Sequence, residues 1–247
     1  GRDGKGEALR EASGAAHARD ALDCRSTGRG MAFTLRFEGE TREVQLPAVG
    51  LFNVENALEV IAAMLALGFS LDDVVRGVAA LEPPPGRMQP VYSEGMPLGV
   101  VDFCHTPDAL QKALESLAPG VHARGGKLWT VFGCGGARAP RQRPSRGAIA
   151  AKLSDHGIVT SDNPRSEDPE SIVREVAAGA ACAENVRIVT DRREAIHEAI
   201  LEAAPEDLVL VAGKGHESEQ ILKDGPHHFL DAEVVREALN ERRTREL

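Results

Sequence analysis

The sequence predicts an α/β chain whose larger part is a mostly parallel sheet, and three observations lead there. Apolar runs of strand length alternate with helix-period stretches from residue 98 onward. Each run ends in a polar turn, and a proline cluster at 83–85 separates this part from a first part of different patterning. Alternation of this kind means right-handed crossovers that cover a parallel sheet on both faces.

In the first part, "MAFTLRFEGETREVQL" at 31–46 alternates apolar and polar residues on both sides of a glycine-containing turn. This predicts a β-hairpin with Phe33, Leu35 and Phe37 facing Val44 and Leu46. From Asn53 to Leu67 the period becomes helical, with Val54, Ala57, Leu58, Ile61, Ala62 and Leu65 on one face and Gly68 as the stop. Ser70 is placed to cap a second helix through Leu81. "PPPGR" at 83–87 cannot continue a helix, because proline lacks the amide hydrogen and its ring clashes with the preceding turn. The expected division is therefore 1–86 and 87–247.

The second part carries strand-like runs at 98–103, 128–134, 156–161, 186–190 and 207–213. Helix-period stretches lie near 107–118, 145–153, 169–179, 191–203 and 231–241. In open sheets of this kind ligands gather beyond the carboxyl ends of the strands. The first residues, "GRDGKGEALREASGAAHARDAL", show no start signal and read like a chain entered partway. A sheet begun there would expose unpaired edges, so the first 30 residues are expected to be poorly ordered or sticky.

Composition narrows the function classes. A formal charge of -9 without Lys/Arg clusters argues against a nucleic-acid module, whose phosphate contacts need a basic surface. Small-molecule partners are expected instead. The four cysteines, Cys24, Cys104, Cys134 and Cys182, have no zinc or redox spacing and read as reduced thiols. No run of about 18 apolar residues and no signal segment occurs, so a cytoplasmic monomer without a membrane partner is expected.

Four strand ends carry polar signatures: "DFCHTPD" at 102–108, "GCGGAR" at 133–138, "SDNPR" at 161–165 and "GKGHE" at 213–217. Their convergence matters more than any one of them, since Gly, Asn, Asp and Pro serve any strand-to-helix turn. "GCGG" lacks the dinucleotide-loop spacing, and "GKGHE" and "GRDGKGE" lack that of a phosphate loop. His105 and His216 have no i, i+4 carboxylate or His companion, so no metal site is expected. Arg138 and Arg165 can each fork onto a carboxylate, Asp162 and Glu217 can accept from an ammonium, and Asn163 can do both. Gly213 lets a ligand approach backbone, and Pro164 holds Asn163 extended. Forks beside carboxylates suit a zwitterion, that is, an amino acid.

"VDFCHTPDAL", "KLWTVFGCGG", "RP" at 143–144, "VTSDNPR" and "LVLVAGKGHE" resemble the ATP-dependent Mur ligases, and "GLFNVENAL" and "PPPGRM" fit the same family. The resemblance covers nearly the whole chain. It implies the end of a central ATPase domain over 1–86 and a Rossmann-like amino-acid-binding domain over 87–247. It implies an amide-bond ligase adding meso-diaminopimelate to UDP-N-acetylmuramoyl-L-alanyl-D-glutamate in peptidoglycan synthesis, with ATP and Mg2+. The family's phosphate loop and metal ligands would lie before residue 1, leaving the chain inactive alone.

Carried over by residue, the diaminopimelate motif falls on Asp162, Asn163, Pro164 and Arg165, with Arg138, Gly213 and Glu217 as further ligands. In relatives that add lysine the motif's arginine is replaced, so Arg165 argues for diaminopimelate. On the nucleotide side the resemblance points to Asn53 and Asn56 at the adenine, Arg87 at the phosphates, and Asp102 and His105 at the ribose and phosphate edge. The glycine-rich loop departs from the family pattern at Ala137, Ala139 and Pro140. Two other readings stay open: a stand-alone amino-acid-binding module, and a related ligase adding another amino acid.

Overall fold

A computed structural model describes residues 9–10, 19–27, 29–137, 140–181 and 183–245, and the chain divides between Pro83 and Pro84 into two compact units. Much of the segment expected to be poorly ordered, together with Arg138, Ala139 and Cys182, lies outside the described residues.

The first unit holds an antiparallel sheet of β1 (Leu9–Arg10), β2 (Arg19–Thr27), β3 (Gly30–Phe37) and β4 (Glu40–Leu46), in that order. Helices α1 (Leu51–Ala66) and α2 (Leu71–Ala79) pack on it. The alternation in the sequence sets the register: Phe33 pairs with Val44 and Met31 with Leu46, and these side chains meet Val54, Leu58, Ile61, Val74 and Val78 in one core. Phe37 pairs with Glu40 beside the turn and is only half-buried, which corrects its expected place in that set. Ser70 caps α2 by accepting from the Asp73 amide at 3.2 Å, and the helix ends at Ala79, ahead of the prolines. Strand β2 was hidden because its alternation breaks at a bulge between Leu22 and Arg25, where Asp23 takes φ 53°.

The second unit contains a six-stranded sheet built from β5 (Gln89–Val91), β6 (Leu98–Asp102), β7 (Leu128–Phe132), β8 (His156–Val159), β9 (Val186–Ile188) and β10 (Leu208–Ala212). The order is β5-β6-β10-β7-β8-β9, parallel throughout except for β5 at the edge. Side chains alternate across it: Val101, Trp129, Val131, Val209 and Val211 join one core layer, while Leu98, Val100, Leu128, Leu208 and Leu210 are buried toward the other face.

Helices α3 (Pro107–Ala123), α4 (Arg143–Leu153) and α5 (Pro169–Ala177) pack side by side, whereas α6 (Arg192–Glu202) and α7 (Asp231–Arg245) pack together against the Val209 layer. A hairpin of β11 (Glu219–Leu222) and β12 (Gly225–His228) precedes α7. Helix α3 runs through Pro119, beyond the expected end. The interior proline costs about 3 kcal/mol. Burial of Leu117 and Val121 offsets it, at about 1.5 to 3 kcal/mol per fully buried side chain.

This topology fixes where a ligand can enter. Strand β10 lies between β6 and β7, yet the chain leaves it toward α7, while the chain leaving its neighbours enters α3 and α4. Connections that diverge to opposite faces open a crevice above the strand end. No helix among the described residues is long and apolar enough to cross a membrane.

Candidate functional site

The crevice is a cleft of about 300 Å³ lined from four strand ends. Phe103, His105 and Thr106 follow β6, Gly133 and Cys134 follow β7, Asp162, Asn163 and Arg165 follow β8, and Gly213 and Glu217 follow β10. Gln142 and Arg146 enter from the start of α4.

The Asn163 side chain organises one wall. Its Nδ2 donates to Glu217 Oε2 at 2.8 Å, and its Oδ1 accepts from the Ile221 amide at 2.9 Å. Lys214, fully buried, donates from Nζ to Asn163 Oδ1 and Glu217 Oε2, both at 3.3 Å, and to the Glu219 carbonyl at 2.5 Å. Pro164 lines a separate open cleft with residues 165–169 and 222–224.

Arg165 stands on a left-handed backbone at φ 56°, an unusual conformation for a side-chain-bearing residue. Its amide donates to the Ile221 carbonyl, and its Nη1 donates to the carbonyls of Gly136 at 2.9 Å and Asn163 at 3.2 Å. The Gly136 amide donates in return to Asn163 O at 2.8 Å, so the loops after β7 and β8 are laced together. A Cβ at Gly136 would lie 1.9 Å from Pro164 O, so only glycine allows that approach. Gly213 is required on two counts: φ is +119°, and a Cβ would lie 2.6 Å from Asp162 Oδ2.

Behind the cleft, the Arg192 guanidinium donates to the carbonyls of Ser161 and Ala212, both at 3.2 Å, and forks onto Asp231 at 2.8 and 2.7 Å. Arg192 and Asp231 are both fully buried. Burial pushes the Cys104 and Cys134 thiols above their ordinary range, so neither is a thiolate nucleophile at neutral pH.

The cleft thus gathers Asp162, Asn163, Arg165, Gly213 and Glu217 of the expected ligand set, and His105 of the nucleotide set. Arg138 lies outside the described residues. Arg87 is exposed with its guanidinium 4.9 Å from the Phe103 ring centroid, and Phe103 also meets the rings of His105 and His216. The Asp102 carboxylate faces backbone: it accepts from the amides of Met88 at 2.8 Å and Cys104 at 2.9 Å and holds the turn. Asn53 and Asn56 lie in the first unit on α1, where Asn53 donates to the Val49 carbonyl and Asn56 to Asn53. Among the described residues no group of three His, Cys, Asp or Glu could hold a metal ion.

Sequence reading missed Lys214, Arg146, Phe103, Thr106, Cys134 and Gln142. The first carries a signal, a lysine between two glycines at a strand end, that resembles a fragment of a phosphate loop.

Fold and cleft together define a doubly wound α/β unit with a charged crevice at its switch point. Residues 86–215 match the family model described as "Mur ligase, glutamate ligase domain". The chain is 46% identical over 216 residues to the UDP-N-acetylmuramoyl-L-alanyl-D-glutamate--2,6-diaminopimelate ligase of Acidovorax sp. (strain JS42), covering 87% of this chain and 43% of that one. The enzyme of the same name from Ralstonia nicotianae is 44% identical over 239 residues, covering 97% and 46%. A solved structure of a ligase of that name superposes with TM-score 0.74 at 37% identity, over 90% of this chain and 45% of that one. The chain belongs to the Mur ligase family. It spans less than half the length of the curated relatives it matches.

Proposed function

We propose that residues 84–247 bind meso-diaminopimelate and present one of its amines for amide-bond formation with UDP-N-acetylmuramoyl-L-alanyl-D-glutamate. The convergence of Asp162, Asn163, Arg165 and Glu217 on one cleft floored by Gly213 carries this reading. Asp162 and Glu217 accept from the ammonium groups, and Arg165 faces the carboxylate that lysine lacks. Asn163, clamped by Lys214 and Ile221, keeps Glu217 in place.

Bound ATP would supply the phosphoryl group that turns the acceptor carboxyl into an acyl-phosphate with release of ADP, and attack by the amine would then release phosphate. This chain's part in that chemistry is positioning, which lowers the barrier by removing the freedom of the attacking group. Arg87 and His105, gathered with Phe103 at the β6 end, are the groups we assign to the nucleotide phosphates. A cytoplasmic location and a monomeric state accompany this reading.

Isothermal titration of the 247-residue chain with meso-diaminopimelate and with lysine tests it. A charge-assisted bond to a carboxylate is worth about 1.5 to 3 kcal/mol, so meso-diaminopimelate is expected to bind at least ~10-fold more tightly. Equal affinity for the two overturns the assignment. Because every cleft residue belongs to the second unit, a second reading, amino-acid binding without ligation by this chain, shares the same site. Amide formation assayed with ATP and both substrates separates the two.

A further inference from the structure

Three of the largest fully buried side chains in this protein are arginines: Arg143, Arg146 and Arg192. Two have charge partners. Arg143 forks onto Glu167 and reaches Glu175, and Arg192 forks onto Asp231. Arg146 is 1% exposed and meets no carboxylate within 4.0 Å among the described residues. Its Nε is buried without a hydrogen-bond partner, and its Nη2 makes one long contact, 3.4 Å to the Cys104 carbonyl. A buried guanidinium left in this state is costly.

The unpaired cation lines the cleft, and an unpaired anion lies close by. The Asp162 carboxylate is 9% exposed and makes no hydrogen bond or ion pair among the described residues. Both reach over the same glycine: a Cβ at Gly213 would lie 2.6 Å from Asp162 Oδ2 and 3.9 Å from Arg146 Nη2. Arg165 lines the same cleft on a different support, with Nη1 held on the Gly136 and Asn163 carbonyls between β7 and β8. The cleft therefore offers one guanidinium beside β10 and a second between the β7 and β8 loops, matching a guest with two separated carboxylates.

We infer that Arg146 is a second carboxylate-binding residue of this site, taking the amino-acid carboxylate that diaminopimelate shares with lysine while the adjacent ammonium rests on Asp162. This rests on the reading given under Proposed function and adds a residue to it. The ligand carboxylate is the missing partner of the buried guanidinium, and its planar fork suits bidentate pairing. Arg146 enters from the first turn of α4.

Two variants of the 247-residue chain, Arg146→Met and Arg146→Lys, test this by titration with meso-diaminopimelate and lysine and by thermal melting without ligand. Arg146→Met is expected to weaken both ligands alike by ~10-fold or more, leaving their ratio unchanged, while raising the melting temperature because an uncompensated buried charge is gone. Arg146→Lys keeps the charge without the fork and is expected to bind at an intermediate level. Unchanged affinity in Arg146→Met, or a lowered melting temperature or failure to fold, overturns the inference and marks Arg146 as structural. Loss of the diaminopimelate-to-lysine ratio in that variant overturns the assignment of carboxylates. Failure of the unmutated chain to bind meso-diaminopimelate, seen before any variant is made, overturns the underlying reading and this inference with it.

Discussion

The Asn163 amide and the Glu217 carboxylate are joined by a 2.8 Å hydrogen bond across 54 residues of sequence, linking the loops that follow β8 and β10. Lys214, buried beneath both, donates to each of them. The pair is therefore a rigid wall rather than two independent side chains. Its rigidity comes from a lysine that reaches no solvent.

Removing that lysine should undo the wall. Lys214→Met takes one donor from each of Asn163 Oδ1, Glu217 Oε2 and the Glu219 carbonyl, leaving Ile221 and Asn163 as the donors to the first two, and a lost charge-assisted hydrogen bond is worth about 1.5 to 3 kcal/mol. Denaturant unfolding is expected to show a loss in that range, with weaker meso-diaminopimelate binding on titration. Full stability and affinity in the variant would assign Lys214 no supporting role.

Arg165→Ala should erase the preference between ligands. The guanidinium is held by the Gly136 and Asn163 carbonyls, so its loss removes one carboxylate contact and leaves the cleft floor in place. Titration is expected to show the ~10-fold or greater advantage of meso-diaminopimelate over lysine falling to near unity.

Gly213→Ala meets two obstacles at once. The left-handed φ of +119° is strained for alanine, and the new Cβ would sit 2.6 Å from Asp162 Oδ2. A residue forced into a sparse backbone region costs about 1 to 3 kcal/mol. The expected outcome is a lower melting temperature together with lost ligand binding, because Asp162 must move from the cleft.

Acid should destabilise the second unit in two stages. Burial would raise the Asp155 carboxyl, but donation from the Leu128 amide and His122 outweighs it and holds the group below its usual range. A depressed carboxyl contributes stability above its unfolded pKa of about 3.9, and that contribution is lost as pH falls through the lower folded value. Burial, with Lys127 nearby, holds His156 below its ordinary pKa as it packs against Trp129. Its neutral form is the folded one, so stability falls as pH drops below about 6.5 toward the folded value. Melting temperature measured against pH should decline first in the His156 window and again below about pH 4. Asp155→Asn should lessen the second decline, the remainder belonging to other carboxyls held low, such as Glu167, which accepts from the Ala137 amide and Arg143.

Much of this was legible in sequence. Leu98–Asp102, Leu128–Phe132 and Leu208–Ala212 are short apolar runs buried on both faces, and such strands announce themselves by composition. What stayed hidden depends on tertiary partners. Gln89–Val91 carries a proline and becomes a strand only because the edge of β6 accepts it, and Glu219–Leu222 is too short to show a pattern and pairs with Gly225–His228, which has no aliphatic strand signature. The strand-end groups of the cleft could be listed from charge alone, because topology forces strand ends together. Arg146 could not, since an arginine early in a helix usually faces water, and nothing local says that this one is buried.

One guanidinium, that of Arg192, braces the carbonyls of both Ser161 and Ala212, and its own anchor, Asp231, begins α7. The spacing of the β8 and β10 ends is consequently gauged from the far layer of the domain, not by the loops that follow them. Substitutions where α6 meets α7, remote from any guest molecule, will register as altered selectivity. The loops, relieved of that duty, are free to change sequence without losing their spacing.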